Sequence, residues 1–186
     1  MKKALIVVDM QNDFITGSLA NKEAQKIVYP IAEYVKNFDG DIYCTLDTHT
    51  SNYLDTQEGK KLPVVHCVEE TMGWHLALPI LEAVQDKIIK QHKYVQYVIK
   101  DTFGSTLLGT YIEANSLNKG PYTDIEICGV CTDICVISNA MIVKAFLPEA
   151  NIKILKDLCA GVTPESHEIA LKAMETCQID IVESKQ

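Results

Sequence analysis

Residues 125–140, IEICGVCTDICVISNA, decide how this chain is read. A short apolar strand runs into a glycine-containing turn, and a helix opens on Thr132 and Asp133 with Cys135 in its first turn. Threonine and aspartate oxygens accept the unpaired amides of a first helical turn, so both residues are expected caps. A thiol placed there feels the positive end of the helix dipole, which favours the nucleophilic thiolate. Strand, tight turn and exposed nucleophile at a helix start make up a nucleophile elbow, here with cysteine in place of serine. The chemistry is expected at Cys135.

Outward from that stretch, short apolar runs alternate with helical patterns. Strands are expected at 5–8, 42–46, 87–90, 124–130, 152–155 and 179–182, and residues 92–100, HKYVQYVIK, lean toward extended structure through their β-branched and aromatic content. Helices are expected at 22–37, 76–85, 105–115, 132–145 and 164–177, the last with Pro164 in its first turn. Residues 47–73 read as one long irregular loop, a length that is uncommon in compact domains unless the loop has a function. This alternation predicts a single-domain, three-layer α/β/α fold over residues 1–186, with a mostly parallel, Rossmann-like sheet of about six strands. Ligands in such folds sit beyond the carboxyl ends of the strands, where strand order reverses. Asp9, Asp47, Lys100 and Cys135 all fall at such ends.

The 186 residues suit one domain, and an apolar fraction of 47% is enough for a sizeable core. A net charge of −8 without a basic stripe argues against nucleic acid or an anionic membrane as partner. The opening MKKALIVV is read as a first strand, because Asp9 ends the apolar run and no small-residue cleavage site follows. Seven cysteines, mostly inside apolar elements, suit a reduced, cytoplasmic protein.

Taken singly, Asp9 is more often a turn cap, Lys100 a solvated strand end and Cys135 a core thiol. Together they form a chemical set: a carboxylate can take the thiol proton, and an ammonium favours both ionised partners. Asp47 and His49 stand two apart in extended chain and so point to one side, where His66 and Glu58 from the long loop could join them around one ion. Mixed histidine and carboxylate donors suit zinc, iron or manganese. Cys128, Cys131 and Cys135 also spell C-x-x-C-x-x-x-C, a redox-dithiol alternative in which Cys128 would have to leave a buried strand.

These motifs resemble the isochorismatase-like cysteine hydrolases, and among them the nicotinamidase branch, over nearly the whole chain. VVDMQNDF looks like the N-terminal signature, which implies Asp9 as catalytic aspartate and Phe14 as an aromatic substrate contact. GVCTDICV looks like the G-V-A-T-D-x-C-V motif, which implies Cys135 as nucleophile, a cis peptide at Val130–Cys131, and an oxyanion hole from the amides of Cys131 and Cys135. KDTFGS matches the catalytic-lysine segment at Lys100, and LDTH with PVVHCV matches the metal motifs at Asp47, His49 and His66. The resemblance implies one divalent transition metal, zinc ahead of iron or manganese, with Glu58 as a further donor. It also implies a small carboxamide substrate, a place in NAD salvage, and room for a homo-oligomer. The chain departs from the pattern at three points: Pro63 stands where an aromatic residue is usual, CVEETMGW follows the metal histidine, and Cys131 replaces alanine. Trp74 or Phe103 is expected to supply the missing aromatic wall. Competing readings are another amidase or ureide hydrolase of the same superfamily, a catalytically silent small-molecule binder, and the dithiol protein. Isochorismatase activity itself is less favoured, because that ether hydrolysis uses no cysteine and leaves the metal motif unexplained.

Overall fold

The computed structural model of the chain describes residues 2–184. Six parallel strands form one sheet: β1 (Lys2–Val8), β2 (Asp41–Asp47), β3 (Val95–Lys100), β4 (Tyr122–Val130), β5 (Asn151–Ala160) and β6 (Asp180–Val182). Their order is β3-β2-β1-β4-β5-β6, so the reversal falls between β1 and β4. β1 lies at the centre, with Ala4 to Val8 fully buried, which is why its sequence is an unbroken apolar run rather than an alternating one.

The helices are α1 (Asn12–Ile15), α2 (Lys22–Asn37), α3 (Gln57–Lys61), α4 (Leu78–Ile89), α5 (Thr106–Lys119), α6 (Ile137–Phe146) and α7 (Pro164–Thr176). Right-handed crossovers place α2 and α4 on one face of the sheet and α5, α6 and α7 on the other, because the strand order changes direction after β3. α2 buries Ala24, Ile27, Val28, Ile31, Ala32 and Val35, a single stripe at helical spacing. Asn21 caps it by accepting the amides of Glu23 and Ala24. α7 opens on a capping box between Thr163 and Ser166, with Pro164 in the first turn.

Two expectations are corrected. Residues 87–90 are not a strand: α4 runs on to Ile89, and Ile88 and Ile89 imitate a strand pattern while standing exposed on the helix. Lys87 is buried there, donating to the Phe38 carbonyl at 2.5 Å and to Gln91 at 2.7 Å. The strand of this region is β3, within HKYVQYVIK. The long loop is not structureless either. It holds a 3₁₀ turn at Tyr53–Asp55 and the short helix α3, and it is pinned where His49 bridges to Val68.

Candidate active site

Strand register assembles the site. Asp47 ends β2 opposite Lys100 at the end of β3, while Val8 lies between Thr45 of β2 and Gly129 of β4. Side chains far apart in sequence therefore meet at the carboxyl edge, at the reversal of strand order. Asp9 follows β1 directly with a left-handed backbone (φ 48°) and a fully buried side chain. The Thr45 hydroxyl donates to Asp9 Oδ1 at 2.6 Å. Asp9 Oδ2 faces Lys100 Nζ at 2.8 Å as an ion pair and has no aligned hydrogen-bond donor. Lys100 Nζ also lies 3.0 Å from Asp47 Oδ1 and 3.6 Å from Cys135 Sγ. One ammonium thus touches two carboxylates and the thiol.

Burial would strip a proton from Lys100, but Asp9, Cys135 and Asp47 outweigh it and hold the ammonium above its ordinary value. Burial raises the Asp9 carboxyl, with Lys100 opposing and Asp47 reinforcing the shift. Burial likewise raises the Cys135 thiol, again aided by Asp9 and opposed by Lys100. Burial thus works against the thiolate that a helix start by itself favours.

The turn carrying Cys135 is built by local exceptions. Gly129 has φ +119°, and a Cβ there would lie 2.1 Å from the Val8 carbonyl oxygen, so glycine lets β4 press against β1. The Val130–Cys131 peptide is cis. Cys131, not Thr132 or Asp133, takes the cap position, and residues Thr132–Val136 form a π-helical turn. The Cys131 carbonyl accepts the amides of Ile134 and Val136, passing over that of Cys135. A turn of this pitch leaves the Cys135 N–H free of that carbonyl. The two expected caps are occupied differently: Thr132 bonds His167 Nδ1 at 2.8 Å, and Asp133 accepts the Val162 amide at 3.1 Å. Asn139, fully buried, donates to the Cys135 carbonyl at 2.8 Å and accepts the Ser105 amide at 2.9 Å. Sequence reasoning missed His167 and Asn139, since a lone polar residue on a helix carries no signal of its distant partner. Cys128 is fully buried in β4, and burial pushes its thiol well up.

Beside the three, Asp47, His49 and His66 bring one donor atom each within 4.8 Å of one another, all buried. Asp47 Oδ2 lies 3.0 Å from His49 Nε2 and 3.4 Å from His66 Nε2, and Glu58 Oε1 stands 3.8 and 3.9 Å from the same nitrogens. His66 Nδ1 meets the Val64 carbonyl at 2.8 Å, a contact that requires Nδ1–H and turns Nε2 inward, where its lone pair would be free for an ion once its proton is displaced. Two imidazole nitrogens and the Asp47 carboxylate, all buried, with the partly exposed Glu58 beside them, fit a divalent transition metal. Burial would raise the Asp47 carboxyl, yet hydrogen bonds with His49 and His66 and the Lys100 charge hold it well below the usual carboxylate range. Asp47 joins the metal cluster to the ammonium. Gln11 fixes it, accepting the Asp47 amide and donating to its carbonyl, each at 2.8 Å.

A cavity of about 560 Å³ opens above Cys135 and His66, with Phe14, Phe103 and Cys131 in its walls. Phe14 meets His66 edge-on at 5.6 Å. Trp74 is not brought there: its indole N–H donates to the Thr48 hydroxyl at 2.7 Å, outside the cavity. A larger groove of about 850 Å³ runs beside α2, but it contains neither cysteine nor histidine.

Residues 3–186 match the Isochorismatase domain family. The chain is 29% identical to the nicotinamidase/pyrazinamidase of Mycobacterium tuberculosis, over 97% of this chain and 98% of that protein. Its fold superposes on the crystal structure of nicotinamidase/pyrazinamidase from Bacillus subtilis with a TM-score of 0.81 and 27% identity, covering 98% of this chain and all (100%) of the other. The pyrazinamidase of Pyrococcus horikoshii, solved in complex with zinc, gives a TM-score of 0.77 at 27% identity, over 99% of this chain and 100% of that one. With the domain match spanning all but the first two residues, this chain belongs to the isochorismatase family.

Proposed function

We propose that the protein is a metal-containing cysteine amidohydrolase that converts nicotinamide and water to nicotinate and ammonia. The observation that carries this reading is the meeting of Asp9, Asp47 and Cys135 around the Lys100 ammonium at the floor of a cavity. The nicotinamidase relatives support the choice of amide.

Asp9 Oδ2 takes the thiol proton as Cys135 Sγ attacks the amide carbonyl carbon. The amides of Cys131 and Cys135 receive the developing oxyanion, and loss of one such donor costs roughly 10²–10³ in rate. As the C–N bond breaks, Asp9 returns the proton to the nitrogen, releasing ammonia and leaving a thioester on Cys135. Water, giving a proton to Asp9, then attacks the thioester carbonyl. The acid leaves, and the sulfur regains its proton. Lys100 keeps the site's charge balanced as the proton moves between sulfur and carboxylate. An ion held by Asp47, His49, His66 and Glu58 would supply a Lewis-acidic anchor that orients the substrate ring. Zinc is the first choice, on the strength of the zinc-bound pyrazinamidase. With nicotinamide as substrate, the enzyme acts in the cytoplasm on amide released from NAD.

Ammonia release from nicotinamide tests the reading. Activity that vanishes in Cys135→Ala and survives in Cys128→Ala supports it. Silence of the wild-type, metal-loaded protein toward nicotinamide and a panel of other small amides rejects it in favour of a binding protein.

A further inference from the structure

The cavity is larger than one pyridine ring requires. At about 560 Å³ it lies in the range that encloses a drug-sized ligand. Above its floor, three apolar side chains that help to line it remain substantially exposed: Leu62 (39%), Phe103 (47%) and Val162 (56%). Exposed apolar groups converging on one mouth mark a surface that a ligand covers. The wall by the metal loop is built by Leu62, while Pro63, where the resemblance puts an aromatic ring, does not line the cavity. A branched aliphatic group closes that side less completely than a ring would.

Charge at the mouth points the same way. Lys22, exposed at the start of α2, is among the lining residues, and among the described residues no carboxylate lies within 4.0 Å of its ammonium. The two carboxylates in the lining, Asp47 and Glu58, are turned to the histidines. The lining therefore offers an incoming ligand apolar walls and one lysine that no carboxylate pairs.

Resting on the amidase reading, we propose that the site also takes carboxamides whose apolar body is longer than one ring and ends in an anionic group, with Leu62 and Lys22 determining that specificity. The amide end reaches Cys135, the body lies against Leu62, Phe103 and Val162, and the anion meets Lys22 at the mouth.

The test uses the metal-loaded enzyme with nicotinamide and two biphenyl-type amides that keep its ring nitrogen for the ion, 5-phenylpyridine-3-carboxamide and 5-(4-carboxyphenyl)pyridine-3-carboxamide. The carboxylated biphenyl amide is expected to be hydrolysed with kcat/KM at least equal to that of nicotinamide. Its advantage over the neutral biphenyl should be about two- to fivefold and should disappear in Lys22→Glu, the scale of a rim charge. Leu62→Trp, at a partly exposed position that tolerates bulk, should cut use of both biphenyl amides relative to nicotinamide by about tenfold, the scale of an overfilled wall. Turnover of nicotinamide with neither biphenyl accepted overturns this inference and leaves the amidase reading standing. Equal use of the charged and neutral biphenyls, unmoved by Lys22→Glu, also overturns it. Silence toward all three amides overturns the amidase reading and this inference with it.

Discussion

Lys100→Met removes the ammonium and keeps the length of its stem. In the native site that ammonium lies 2.8 Å from Asp9 and 3.0 Å from Asp47, with side chains almost fully buried. Breaking a buried ion pair by deleting one partner costs about 3–5 kcal/mol, because the remaining charge stays in a low-dielectric site. For a chain of 186 residues that loss lowers Tm by roughly 6–20 °C. The penalty must also depend on pH. The Asp9 carboxyl is already raised by burial, with Lys100 the main group pulling it back down, so without Lys100 it rises further. A carboxyl whose folded pKa is raised adds stability at pH below its unfolded value, and that contribution is lost as pH rises through the folded value. The deficit of the variant should therefore be full near neutrality and shrink on acidification, as Asp9 gains a proton and ceases to be an unpaired charge. Urea unfolding of wild type and variant at about pH 7 and about pH 5 measures both quantities, and each pKa unit of difference corresponds to about 1.4 kcal/mol. Amide hydrolysis by the variant should fall by about 10²–10⁴, the scale of acid–base catalysis, because no ammonium then balances the charge as the proton moves between sulfur and carboxylate. A stability loss below about 1 kcal/mol at both pH values would refute the reasoning. So would a deficit that grows toward acid.

Other perturbations probe separate parts of the site. Gly129→Ala should cost more than about 4 kcal/mol or prevent folding, since its Cβ would meet the Val8 carbonyl oxygen at 2.1 Å; thermal melts of purified protein check this. Thr45→Val deletes the hydroxyl that donates to Asp9 Oδ1 at 2.6 Å and should lose about 1.5–3 kcal/mol in denaturant unfolding, with a fall in kcat. Stripping the metal with a chelator should remove amide turnover, and His66→Ala should lower metal content below one ion per chain by elemental analysis, since His66 Nε2 is one of the converging donors. Thr132→Val and His167→Asn, which break opposite ends of one 2.8 Å hydrogen bond, should lower kcat by similar factors. Their double variant should be little worse than either single change, whereas additive losses would show that the bond does not hold the Cys135 turn.

Local chemistry was legible wherever it needed no distant partner. The helical pattern at 22–37 coincides with α2, and the apolar runs at 5–8 and 42–46 lie inside β1 and β2, because side-chain periodicity reports burial directly. The alternation of strand and helix implied the parallel sheet, and the identities of Asp9, Lys100, Cys135, Asp47, His49 and His66 stood out as a set of reactive and donor groups. What failed depended on neighbours remote in sequence. Ile88 and Ile89 look like strand residues until α4 is seen to carry them on its exposed face. Thr132 and Asp133 look like caps until His167 and Val162 claim their oxygens. Trp74 looks like a stacking wall until Thr48 holds its indole outside the cavity.

Residue type, then, determined which chemical groups this protein owns and which segments form its layers. Tertiary structure alone decided that one ammonium should touch two carboxylates and a thiol, because that meeting follows from the register of β2 against β3 and of β1 against both neighbours. It also decided what surrounds the sulfur. A helix start taken by itself favours thiolate, but proton affinity answers to the whole environment, and here burial and the neighbouring Asp9 push the Cys135 thiol up while Lys100 opposes them.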